Sequence, residues 1–151
     1  MLPQGPRAER FCQLADNLHI LLTLANVDFS ELFYVNRAYE TIWGCTLESF
    51  YAEPRSFLEG IHENDRGQVQ DLIRRLIGGE PIDDLECRVV RPDGSTSWVL
   101  CRCFPVRDAQ GHVCRLVGSA QDITQLKRAE QQVQARLESR EVCLIPFITS
   151  C

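Results

Sequence analysis

Cys87, Cys101, Cys103 and Cys114 lie in strand-like segments, where strict alternation would put all of them on one face, and four thiolates would make a soft metal site. Their spacing argues otherwise. Cys-x-Cys along a strand is not the Cys-x-x-Cys knuckle that zinc prefers, so these thiols are expected to pack as small hydrophobes, with no metal. His19 and His112 are isolated, and His62 stands just ahead of a helical stretch, where capping suits it better than iron ligation. Asp83 and Asp84 follow Pro81 at the start of a strand and are expected to be solvated rather than to form an acid–base pair. No nucleophile has a histidine and an orienting acid at motif-like spacing, and no glycine loop could cradle phosphate. The chain is therefore not expected to be an enzyme, and no residue is assigned a catalytic role.

The totals point the same way. At 151 residues the chain is one domain with short extensions, large enough for a real core. A net charge of −5 and a pI near 5.2 lack the basic footprint of a nucleic-acid binder, which leaves a protein or a small molecule as partner. No apolar run approaches the ~18 residues of a membrane span, and the first seven residues lack a signal peptide's apolar stretch. A cytoplasmic location is expected, with the eight cysteines kept as free thiols.

The elements that would position these residues centre on 91–125. Pro92-Asp93-Gly94 carries turn chemistry, and residues 96–106 and 112–120 alternate at period two around a second turn at 108–111, which predicts an antiparallel pair. Trp98, Leu100 and Phe104 share one face and Val99, Cys101 and Cys103 the other, so both faces need cover. Two coverings fit the first face: a second copy of the chain, or the amphipathic helix read over 7–17. Residues 18–24 and 31–35 read as the first two strands and residues 82–91 as the third, with Leu85, Cys87 and Val89 on one side. Asn36 is a good N-cap for a helix ending at Gly44, and Thr46 caps a short turn through Phe50. Residues 52–60 allow a helical turn or two. Val69, Leu72, Ile73, Leu76 and Ile77 at i, i+3, i+4, i+7, i+8 predict a helix over 64–79. After Asp122, Ile123, Leu126, Glu130, Val133 and Leu137 repeat at 3-4-3-4, a seam of about two heptads and too short to dimerise strongly alone.

Three motifs within this order resemble a known family. Asn36-Arg37-Ala38-Tyr39 running to Gly44 resembles the Asn-x-Ala-aromatic run of PAS domains. Ile61-His62-Glu63-Asn64-Asp65-Arg66 resembles their Ile-His-Pro-x-Asp-Arg segment, with Glu63 where proline is usual. Residues 91–99, Gly118 and Asp122-Ile123-Thr124 resemble the C-terminal PAC motif, and the likeness spans about residues 10–140. It implies an α+β fold: a five-stranded antiparallel sheet with short helices on one face, a small-molecule pocket between them, and a C-terminal signalling helix. The implied pocket candidates are Phe57, Leu72, Ile73, Leu76, Cys87, Val89, Val99, Cys101, Cys103, Leu116 and Ala120. Candidates for dimer or helix packing are Trp98, Leu100, Phe104, Leu126, Val133 and Leu137. Flavin photosensors of this family need a cysteine near 52–60 and amides on the inner sheet face, where Val89, Val99 and Ala120 stand here. Haem relatives use a histidine on the long helix, which has none, so flavin and haem are both argued against and the cofactor is left unassigned. The implied organisation is a leader (1–6), the PAS domain with its flanking helix (7–124), a signalling helix (125–141) and a tail of unassigned role (142–151). The implied function is a sensory module, a homodimer binding a small apolar ligand or none, that relays through its last helix to an output domain such as a histidine kinase. The alternative is a ligand-free dimerisation or partner-docking module.

Overall fold

The computed structural model describes residues 6–149 apart from residue 18, so the leader expected over 1–6 lies outside the described residues except for Pro6, which already opens the first helix. The elements run α1 (Pro6–Asn17), β1 (Ile20–Ala25), β2 (Leu32–Val35), α2 (Ala38–Trp43), α3 (Leu47–Ala52), a 3-10 segment (Pro54–Gly60), α4 (Glu63–Ile77), β3 (Ile82–Val90), β4 (Thr96–Arg107), β5 (Val113–Asp122) and α5 (Thr124–Thr149). All five strands form one antiparallel sheet in the order β2-β1-β5-β4-β3. The first strand therefore pairs with the last, Leu21 opposite Ala120 and Thr23 opposite Gly118.

One face of this sheet carries the core. Leu21, Ala25, Leu85, Cys87, Val89, Val99, Leu116 and Ala120 are all buried there, under Tyr39, Ile42, Trp43 and Phe50 from the short helices and Val69 and Leu76 from α4. Val89, Val99 and Ala120 are 0%, 0% and 3% exposed, so the alternation read from the sequence puts them inward.

Three local readings need correction. Asn36 is not the cap of α2, which Arg37 precedes. It is buried, with its Nδ2 donating to Ile20 O (2.8 Å) and its Oδ1 accepting from Leu22 N (3.0 Å), so it stitches the end of β2 to β1. Cys114 does not join the other thiols. The register shifts between Val106 and Arg107, opposite the start of β5, and beyond that irregularity Val113 packs on the core while Cys114 is exposed. Finally, α5 does not end near residue 141: it runs to Thr149, through Pro146. Among the described residues no helix is long and apolar enough to cross a membrane.

His62 caps α4, its Nδ1 accepting from Asn64 N at 3.1 Å. Asp83 and Asp84 are exposed at the irregular start of β3, Asp84 paired with Arg102 (2.7 Å).

Candidate functional site

Between the sheet and the short helices lies a cavity of about 70 Å³. Of the residues expected to line a pocket, Phe57, Cys101, Cys103 and Ala120 do so. Leu76, Cys87, Val89, Val99 and Leu116 are buried in the surrounding core, Leu72 packs against it, and Ile73 faces a separate groove. Leu21, Thr23, Tyr39, Trp43, Phe50, Gly118 and Ser119 complete the lining. Their signal in the sequence was indirect: Tyr39 and Trp43 share a helix side, and Gly118 sits opposite Cys103 where a Cβ would come within 2.7 Å of Thr23 Oγ1.

Aromatic packing closes this space. Tyr39 stacks on Phe50 (4.2 Å between ring centroids) and on Trp43 (5.5 Å), and Trp43 Nε1 donates to Phe57 O at 2.9 Å. Burial pushes the Tyr39 hydroxyl well above its usual range. The Cys101 thiol is raised by its hydrogen bond with Cys87 and by burial, and desolvation pushes Cys103 up to about 11. Neutral thiols suit an apolar lining and are poor nucleophiles at neutral pH.

On the opposite face the residues expected to pack helices or a partner divide into two groups. Trp98 is half-buried beneath the start of α5: its N–H donates to Thr124 Oγ1 (3.0 Å), and its carbonyl accepts from Ile123 N (2.8 Å). Lys127 Nζ lies 5.1 Å from the indole centroid and pairs with Glu86, which raises the lysine's pKa. The Arg88 guanidinium also lies against that indole, at 5.3 Å, while its fork grips Asp65 of α4 (2.9 and 3.0 Å). A continuous polar and aromatic path thus joins α4, β3, β4 and α5. By contrast, Leu100 is half-buried and Phe104, Leu126, Val133 and Leu137 are all more than half exposed. The Ile123 of the expected seam is buried, at 6% exposure, so the seam begins at Leu126.

A model of the family described as the PAS fold matches residues 32–120. The chain is 27% identical over 134 residues to biofilm dispersion protein BdlA of Pseudomonas aeruginosa, a match covering 83% of this chain and 31% of that protein. It is 29% identical over 139 residues to blue-light-activated histidine kinase 2 of Erythrobacter litoralis, covering 84% of this chain and 39% of the kinase. The chain thus spans well under half the length of these relatives. Among solved structures, a domain of a histidine kinase described as light and redox sensing, from Haloarcula marismortui, superposes with a TM-score of 0.63 at 34% identity, covering 77% of this chain and 99% of that one. With its strand order, its helices gathered on one sheet face and a matched segment spanning most of both, this chain belongs to the PAS family of domains found in sensor proteins.

Proposed function

We propose that this PAS domain is a cytoplasmic sensory relay that dimerises through its outer sheet face and passes the state of its inner face through α5 to an output domain such as a histidine kinase. One observation carries the reading: the first turn of α5 is fastened to Trp98, while the neighbours of that residue in β4, Ser97 and Val99, are buried in the core on the other side. Any repacking of the inner face that moves β4 also moves the anchor of the exit helix. In this reading residues 7–124 are the sensing body and α5, which runs on to Thr149, is the signalling helix. The kinase and dispersion proteins among its relatives support an output of that kind.

Phe57, Cys101, Cys103 and Ala120 are the residues proposed to meet a small apolar ligand directly, with Leu72, Leu76, Cys87, Val89, Val99 and Leu116 shaping the wall behind them. Neither a flavin nor a haem is assigned in this reading. Val89, Val99 and Ala120 offer no amide to a flavin ring, and α4 contains no histidine.

The cavity size favours a second reading. About 70 Å³ is far below the ~300–1,000 Å³ of common ligand sites, which suits a filled, ligand-free docking module. Native mass and the visible absorption spectrum of purified protein separate the two, since colour or extra mass supports a sensor. Dimerisation through the sheet is tested by Leu100→Glu: light scattering on a sizing column is expected to show a monomer, and an unchanged dimer counts against that face.

A further inference from the structure

A groove of about 330 Å³ lies outside the inner cavity, between the 3-10 segment and α4. From α4 come Gln70, Ile73, Arg74 and Ile77, spaced to share one helix face. The 3-10 segment adds Arg55, Phe57 and Leu58, and Phe29 of the β1–β2 loop closes one side, its ring 5.2 Å from that of Phe57. Phe29 sits at a φ of 60°, where a bulky residue is strained. The loop holds it there: Asn26 Oδ1 accepts from Ser30 N and Glu31 N (2.9 Å each), and Arg55 Nη2 donates to Asp28 O (2.8 Å).

The apolar side chains of this groove are half-buried rather than sealed, and its charged lining is two arginines with no acid. Both arginines have partners at the rim, but neither is held on every side: Arg55 keeps one bond to the Asp28 carbonyl and feels the Asp28 carboxylate nearby. Asp28 accepts from Ser30 within its own loop, and Asp71 reaches Arg74 only at 3.9 Å, with both side chains more than half exposed. A wider cleft of about 530 Å³ beside Trp43 differs in kind: Glu53 and Glu59 line it, and its Arg91 is already held by Asp122, Ser95 and the Thr41 carbonyl.

We propose that the groove between the 3-10 segment and α4 binds a small amphipathic monoanion, a medium-chain carboxylate, with its head between Arg55 and Arg74 and its chain over Phe57, Ile73 and Ile77. Guanidinium forks match a carboxylate in geometry and charge, and the volume falls within the ~300–1,000 Å³ of common small-ligand sites. The site needs neither the dimer nor α5, so it stands or falls separately from the relay.

The test titrates octanoate and octanol into the full chain while following the methyl resonances of Ile73 and Ile77. Octanoate is expected to bind at least about threefold more tightly than octanol, because solvent screens exposed guanidinia but two of them act on one carboxylate. Arg74 is 77% exposed, so Arg74→Gln should leave the fold intact and weaken octanoate severalfold, and the Arg55→Gln/Arg74→Gln pair should bring it to the level of octanol. Equal binding of the two probes, unchanged octanoate affinity in Arg74→Gln, or shifts at Leu21 and Ala120 in place of Ile73 and Ile77 would overturn the assignment.

Discussion

Asp65 shows how a single side chain holds two elements together. Its carboxylate accepts from the Arg88 side chain and from Arg88 N (2.8 Å), and those bonds hold its pKa below the ordinary value of 3.8. A carboxyl whose folded pKa lies below its unfolded one stabilises the fold at pH above the unfolded value and loses that contribution as pH falls through the folded value. Asp65→Asn should therefore lower the melting temperature by several degrees at pH 7, with the gap to the parent narrowing as pH falls below about 4. Melts from pH 7 downward check it, and a gap that does not narrow as pH falls below about 4 would contradict the assignment. At this scale the sequence was legible where a residue type has one use, as with the buried valines. It was misleading where a side chain has several. Asn36 reads as a helix cap by local chemistry, but its amide has a donor and an acceptor that satisfy β1 instead, a tertiary use that no local pattern encodes.

Strands were legible because period-two alternation survives wherever pairing is regular, as from Leu100 to Phe104 opposite Gln121 to Val117. It failed at Cys114, where one register irregularity inverts which side chains face the core. The seam of α5 is a clearer case of an apolar stripe left exposed. Leu126, Val133 and Leu137 are 56%, 57% and 51% exposed on a helix whose first turn is bolted to the sheet. Two such helices packed side by side would bury these side chains at about 1.5–3 kcal/mol each. Val133→Glu with Leu137→Glu is expected to weaken self-association at least about tenfold by sedimentation equilibrium. An unchanged dissociation constant would mean that the helices do not meet.

The whole molecule is closed by the pairing of β1 with β5, which sets Leu21, Thr23, Cys101, Cys103, Gly118 and Ala120 around one small space. The order of elements made that architecture readable, but the size of the space was not, because it depends on how Tyr39, Trp43 and Phe50 stack. The φ of Phe29, and with it the shape of the outer groove, was equally invisible. If inner face and exit helix are coupled, a probe of the cavity must bind with different affinity when α5 is removed, since coupling is reciprocal. Xenon suits a small, mainly apolar cavity. Titrating it against the Leu21 and Ala120 methyl resonances in the full chain, and in a chain ending at Thr124, should give dissociation constants at least about fivefold apart. Equal constants in the two chains would contradict a relay through this sheet.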